Sequence, residues 1–253
     1  MDRDSLLKLI ENGAEIANMV FAETDWNDLD LSGAVFRNCT FLKARFVETC
    51  FEEAVFNDCT FKTCGFPRSN LQSTTFSDCS FFDSQSGAGG DFSYAEMRAC
   101  CFKHCNLSTS KFRAATLYEA RFEDCTAQGC DFEKATFSHA IGGSARHVNT
   151  NIHMRASNFD YANFTGVSFE GCCLSECSFR QSSLRDCDFK DADMTETDLG
   201  EADTAGACFD GADLRGANLS GFLLTELLSF DRMKIGEAQQ QDVLLGLGIQ
   251  VFD

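Results

Sequence analysis

A large residue recurs at every fifth position of this chain, and few folds can use such a period. From Phe21 the register runs through Trp26, Leu31, Phe36, Phe41, Phe46, Phe51, Phe56, Phe61, Phe66, Leu71 and Phe76 to Phe81. It resumes one residue out of step at Phe92 and continues by Met97, Phe102, Leu107, Phe112, Leu117, Phe122 and Phe132 to Phe137, with Ala127 as its weak position. A third block runs from Phe159 to Leu219, where only Thr204 breaks the pattern. A period of five fits neither a helix at 3.6 nor a strand at 2. It marks a solenoid, in which short units stack and each contacts only its neighbours.

Call each large residue a centre. The residues two before a centre are mainly Ala, Ser, Thr and Cys, so both positions point inward. The other three carry charged and polar residues and face water. All fifteen cysteines fall one or two residues before a centre. They act as small buried residues rather than as a disulfide framework, since their number is odd and no C-x-x-C occurs. Many free thiols imply a reducing compartment, so a cytoplasmic location is expected.

Five residues make one side of a coil, and coils stack at strand spacing, about 4.8 Å. Residues 21–220 are expected to form this stack. Two breaks interrupt it. Residues 82–91 (loop A) and 138–155 (loop B) read as projecting loops, because a solenoid tolerates insertions only outward. Loop B contains no acid, yet it holds Arg146, Arg155, His139, His147 and His153. On a chain with a net charge of −18, that segment inverts the local sign. Loops collect function more often than cores do.

Both ends must hide unpaired backbone. Residues 1–20 read as an N-terminal cap, with Asp4 or Ser5 starting a short helix that carries Leu6, Leu7, Leu9 and Ile10 and ends near Gly13. Residues 221–253 read as a C-terminal cap, with a helix from about Gly236 to Leu245 stopped at Gly246. Leu244, Leu245, Leu247, Ile249, Val251 and Phe252 exceed what one cap can bury, and such surplus suggests a symmetric dimer.

Acidity is uneven. Residues 160–220 hold 13 acids against 4 bases, half of the net excess. Asp186, Asp188, Asp191, Asp193, Asp198, Asp203, Asp210 and Asp213 are expected to form an acidic face. Such a surface repels phosphates, so nucleic acid is a poor partner. Aspartate before a centre also belongs to the repeat, which explains part of the charge without any partner. No nucleophile elbow, phosphate-binding loop, H-E-x-x-H or dinucleotide motif occurs, so no enzyme, cofactor or metal site is expected. No apolar run is long enough to span a membrane. The acidic N-terminus does not read as a secretory signal.

The runs ADLRGANLSG (212–221), ANFTGVSF (162–169) and AVFNDCTF (54–61) resemble the A-(D/N)-L-x-x consensus of pentapeptide repeat proteins. The resemblance implies an all-β fold, a right-handed quadrilateral β-helix with two projecting loops and a short C-terminal helix. Phe36, Phe56 and Phe76 would then form one inner ladder, and Cys39, Cys59 and Cys79 its neighbour. GGDFSYA (89–95), CTAQGCDF (125–132), NFDYANFTGVSFEGC (158–172) and the ending LLGLGIQVF (244–252) resemble more narrowly the Qnr quinolone-resistance proteins. The first ~35 residues would be an extension, and loop B is longer than usual for that group.

That resemblance implies a non-catalytic, DNA-mimic-like homodimer. It would bind DNA gyrase and topoisomerase IV and protect them from quinolones. Carried over by position, the contact residues are Ser84, Gln85, Ser86, Gly87 and Asp91 in loop A. In loop B they are Gly142, Arg146, His147, Asn149, His153 and Arg155. Two alternatives stay open: a generic interaction scaffold, and immunity against a topoisomerase-poisoning peptide toxin.

Overall fold

Phe36 pairs directly with Phe56, and Phe56 with Phe76, through parallel main-chain bonds in a register of twenty residues. Four repeats therefore close one coil, and each repeat forms one of its four sides. This computed structural model describes residues 8–10, 13–141 and 148–250. Side 1 is a parallel sheet stacked in the order β1 (Ile16–Ala17), β3 (Val35–Arg37), β5 (Val55–Asn57), β7 (Thr75–Ser77), β8 (Cys101–Lys103), β9 (Arg121–Glu123) and β12 (His153–Arg155). Side 2 carries β2 (Val20–Ala22), β4 (Thr40–Leu42) and β6 (Thr60–Lys62). Sides 3 and 4, with centres such as Trp26 and Leu31, pair through single parallel bridges. The architecture is the all-β solenoid that the period implies.

The core is a set of aromatic ladders. The Phe36 and Phe56 rings lie 4.9 Å apart and 3° from parallel. Within one coil, Phe36 meets Phe41 edge-on at 5.6 Å and 71°. Rings such as Phe36 and Phe41 thus stack along the axis and meet the neighbouring side by an edge, the two arrangements that aromatic quadrupoles favour.

Corners explain the polar positions. Two residues after a centre the backbone turns left-handed, as at Asn38 (φ 50°), Asp58 (φ 52°) and Asp78 (φ 54°). An L-residue loses about 1–2 kcal/mol in that conformation. The same geometry aims the corner N–H at the next coil: Asn38 donates to the Asn57 carbonyl at 2.9 Å, and Asp58 to Ser77 at 3.0 Å. Buried cysteines do more than fill space. The thiols of Cys59, Cys79, Cys105 and Cys125 donate to the carbonyls of Phe36, Phe56, Phe76 and Phe102, in the coil before, at 3.4–3.7 Å. Thr49 and Thr74 make the same bond to Trp26 and Phe51 at 2.8 and 2.7 Å. The position therefore selects a small side chain, and Cys or Thr adds a donor where Ala has none. Burial pushes the Cys64, Cys172, Cys177 and Cys187 thiols up to about 12, which keeps them protonated and unreactive.

The repeat body is longer than the sequence reading places it. Ile16 is a buried centre paired with Phe36, so stacking starts inside the assigned N-terminal cap. Met154 is buried and pairs with Phe122, so the third block begins one repeat before Phe159. Ser229 bridges to Cys208 and Lys234 to Asp213, which carries the ladder past residue 220. A register of 21 there, one residue more than usual, hides this last turn from a count in fives. Thr204 and Ala127 are both buried and simply fill centre positions with small groups. Residues 8–10 are helical, and Asp4, Ser5, Leu6 and Leu7 lie outside the described residues.

The C-terminal end is closed by a side chain that patterning misses. Gln239 is buried, and its amide nitrogen donates to the Leu214 and Ala217 carbonyls at 2.7 and 2.8 Å. Its oxygen accepts from Gly236 at 2.6 Å. After this plug, α1 (Gln240–Gly246) lies over the end of the rod. The helix runs through Gly246, and the left-handed glycine that terminates it is Gly248. Gly248 has φ 76° and donates to Leu245 at 2.8 Å, while Ile249 donates to Leu244 at 2.9 Å. Gly246 is the last helical residue, and it must be glycine because a β-carbon there would strike the Phe222 carbonyl.

Replacing Gln239 by Leu should cost about 1–3 kcal/mol by stranding two carbonyls. The loss should be local, because repeats feel only their neighbours. Hydrogen exchange is expected to accelerate over residues 207–220 while the coils around Phe56 keep their protection; uniform acceleration would contradict a local cap.

Candidate interaction surface

Loop A is a short, self-ordered turn. Asp83 organises it: its amide donates to Ala88 and its carbonyl accepts from Gly87, both at 2.8 Å. The Asp83 carboxylate accepts from the Ser86 hydroxyl at 2.8 Å and from the Gln85 amide at 3.1 Å. Those bonds, the Ser86 one foremost, hold the carboxyl below the usual aspartate range. Thr63 from the coil before reaches Asp83 at 3.3 Å, and Thr109 from the coil after reaches the Gly87 carbonyl at 2.9 Å. The loop re-enters through Gly89, where a β-carbon would strike Ser108 and Ser110. Ser84, Gln85, Ser86 and Gly87 are exposed at the tip. Asp91 is not part of the loop: it bridges to Gly65 and Lys111 within the wall.

Loop B is an antiparallel hairpin, β10 (Ser138–Ile141) against β11 (Val148–Asn151). Asn149 sits on its second strand, opposite Ala140. Gly142, Arg146 and His147 lie outside the described residues. The loop ends at Asn151 rather than Arg155. His153 and Arg155 belong to β12, in register with Arg121 and Glu123, and Arg155 pairs with Glu176 at 3.0 Å. The missed signal is the Ile152–Met154 pair, two buried apolar residues at the inward spacing of two, with Ile where the repeat usually has a small residue. The Asn151 amide secures the hairpin root to the Gly171 carbonyl at 2.8 Å.

The loops leave different corners. Loop A follows Phe81 and precedes Phe92, so it opens at the corner between sides 2 and 3. Loop B follows Phe137 and precedes Met154, between sides 4 and 1. These corners are diagonally opposite, and the loops are two to three coils apart along the axis, roughly 10–14 Å.

The acidic residues form no single face. Successive repeats turn a corner, so residues 186–213 go more than once round the rod. Asp188, Asp193, Asp198 and Asp203 pair in four separate ladders, with Ser168, Cys173, Ser178 and Ser183. Three of the eight are neutralised locally: Asp198 by Arg180 at 3.0 Å, Asp203 by Arg185 at 3.0 Å and Asp213 by Arg215 at 2.8 Å. The Arg215 bond, the largest cause, holds the Asp213 carboxyl low. The set is a collar of charge rather than a stripe.

Apolar exposure gathers at the C-terminal end. Leu245, Leu247 and Ile249 are 43–50% exposed, and Leu244 is half-buried. Val251 and Phe252 lie outside the described residues. Leu223, Leu228 and Phe230 add to this end at 39, 74 and 45% exposure. They were hidden in sequence by the extra residue of the last coil. Among the described residues, no group of three or more His, Cys, Asp and Glu could hold a metal ion, and no helix is long and apolar enough to cross a membrane.

Comparison with known proteins decides the family. Sequence families described as "Pentapeptide repeat region", "Pentapeptide repeats (9 copies)" and "Pentapeptide repeats (8 copies)" match residues 162–239, 92–136 and 20–52, together well over half of the chain. The chain belongs to the pentapeptide repeat proteins. It is 34% identical over 83 residues to the pentapeptide repeat protein QnrB4 of Escherichia coli, a match covering 33% of this chain and 38% of that one. It is 31% identical over 83 residues to the quinolone resistance pentapeptide repeat protein QnrB96 of Scandinavium goeteborgense, with the same coverage. The match thus spans about 38% of the length of each curated relative. Among solved structures, trypsin-treated QnrB1, a plasmid-mediated fluoroquinolone resistance protein, aligns over 94% of this chain and 100% of its own with a TM-score of 0.71 at 23% identity. HetL of Nostoc, a pentapeptide repeat protein involved in heterocyst differentiation regulation, aligns over 92% and 94% with a TM-score of 0.51 at 14% identity. Both likenesses show the fold.

The pentapeptide repeat frame separates charge that the fold needs from charge that it does not. The Asp or Asn before a centre accepts the amide two residues on and so closes the corner. Asn106 bonds Ser108 at 3.1 Å and Asn163 bonds Thr165 at 3.1 Å. Asp188 bonds Lys190 at 3.0 Å and Asp193 bonds Thr195 at 3.1 Å. An amide oxygen performs this task as well as a carboxylate. Changing Asp188, Asp193, Asp198 and Asp203 together to Asn should therefore leave the melting temperature within about 3 °C, since such surface changes are individually small. Association with a cationic partner should slow and lose salt dependence, read by stopped flow at low and high salt. A collapse in melting temperature would show that the carboxylates themselves hold the corners.

Proposed function

We propose that this protein is a non-catalytic protector of type II topoisomerases, DNA gyrase and topoisomerase IV, against quinolones or related poisons. The observation that carries this reading is sequence similarity to Qnr proteins, one of them named for quinolone resistance, on a rod that keeps two insertions and an apolar C-terminal end. The acidic collar supports attraction to the basic groove that normally holds DNA. Its charge is far sparser than the one per 1.7 Å of axis that duplex DNA carries. Likeness to DNA would thus lie in width and in average sign, not in matched charges. The loops supply short-range contacts, with the exposed Ser84, Gln85, Ser86 and Gly87 on one corner and the loop B hairpin on the opposite one.

The test is gyrase supercoiling with a quinolone present, comparing the intact protein with one in which residues 139–150 are replaced by a short Gly-Ser link. The intact protein should restore supercoiling, and the shortened one should lose most of that effect while keeping its melting temperature. No rescue by the intact protein, together with no gyrase binding, would remove this reading in favour of a scaffold with another partner.

The C-terminal patch fits an end-to-end homodimer. Leu245, Leu247 and Ile249 are about half exposed, and Leu245 lines a cleft of about 200 Å³ together with Leu219, Phe222 and Leu223. A two-fold contact would bury the same patch twice. Leu245→Glu with Ile249→Glu should convert a dimer to a monomer in light scattering; an unchanged mass of twice the chain would place the contact elsewhere.

A further inference from the structure

Tyr94 occupies a corner position with φ 61° and is 61% exposed. A bulky aromatic residue in left-handed backbone is a true outlier, and its ring gains little from packing when it stands in water. Asn, Asp or Gly would serve the corner at lower cost, as Asn18, Asn38 and Gly33 do. The fold gives no reason for the ring.

Its place does. Tyr94 lies at the corner between sides 3 and 4. Loop A leaves at the next corner on one side, and loop B at the next corner on the other. Tyr94 therefore stands midway round the rod between the two loop roots, in the same coil as loop A. On the way to loop B lies Tyr118, stacked under the Arg98 guanidinium at 5.7 Å. The charges on these two sides are matched. Residues 91–99, 110–119 and 130–138, which form sides 3 and 4 between the loops, hold five acids and four bases, against thirteen and four in residues 160–220. Arg98 pairs with Glu119 at 2.9 Å, and Arg113 with Asp131 at 3.4 Å and with Glu133. A nearly neutral surface with exposed tyrosine and arginine suits the water-excluded centre of an interface better than the acidic collar does.

We propose that sides 3 and 4 between the two loops, centred on Tyr94, form the short-range contact surface, and that the partner covers it with a two-walled cleft whose walls meet loops A and B. The occupant is the topoisomerase of the reading above, on which this inference rests. A flat partner could touch one loop and Tyr94 but not both loops, because the loops open on diagonally opposite corners. The acidic collar then serves approach, and the neutral middle of the rod serves grip.

The experiment uses the full-length protein and purified DNA gyrase. Tyr94→Asn is compared with Tyr161→Asn, which has the same backbone (φ 61°) and exposure (63%) but lies outside the strip, on the corner of loop A three coils further on. Both changes replace a strained ring by a residue that tolerates this corner, so neither should lower the melting temperature. Tyr94→Asn should weaken gyrase binding at least about tenfold, as expected for a buried aromatic anchor, and Tyr161→Asn should leave it unchanged. Tyr94→Gly, free of backbone cost, should repeat the loss. Equal binding by wild type and Tyr94→Asn would overturn the inference and leave the protection reading standing, as would an equal loss from Tyr161→Asn. If the wild type binds no gyrase, both ideas fall together.

Discussion

Every part of this molecule depends on one main-chain bond, the one that ties a residue to its counterpart one coil along. It sets the register at twenty, and everything else must fit that spacing. Phenylalanine ladders form because in-register rings at strand spacing can stack nearly parallel. Left-handed corners persist because they point their N–H groups along the axis into that same ladder. Stacked thiols and hydroxyls take up carbonyls of the coil before. The rod therefore needs neither disulfides nor a conventional two-layer core.

The constraint also sorts surface charge into two kinds. Aspartate before a centre is a turn residue first, and its oxygen does what asparagine does elsewhere in the rod. What turn chemistry leaves unexplained is the choice of the charged residue over the neutral one from Asp188 to Asp203. Many of the remaining ion pairs join adjacent coils on exposed surface, such as Arg37 with Glu15 and Lys190 with Glu170. Each contributes at most about 1 kcal/mol. Charge on this rod is thus better suited to steering a partner than to stability.

Legibility in the sequence followed the strength of the local signal. The ladders, the buried cysteines and both insertions could be read because each repeat states them again. Boundaries could not. Ile16 and Met154 belong to the register, yet one has a weakly marked neighbour and the other follows a long insertion that resets the count. The last coil was hidden by a single extra residue. His153 and Arg155 looked like loop residues because the cationic run containing them crosses the hairpin root into the wall. Gln239 carries no pattern at all, since its role is fixed by two carbonyls more than twenty residues away.

The sequence by itself determined the repeat and the inward and outward positions, because small and large residues two apart in a period of five must both be buried on one side of the chain; the four-sided coil came with the resemblance to known repeats, and the register of twenty bears it out. Only the tertiary structure decided how features distant in the chain share space. It turned an acidic face into a collar, since each repeat rounds a corner. It set the two loops on opposite corners, and it placed Tyr94 between them. Those relations depend on counting coils through two insertions, and a residue's side of the rod changes with every five residues that an insertion adds or hides.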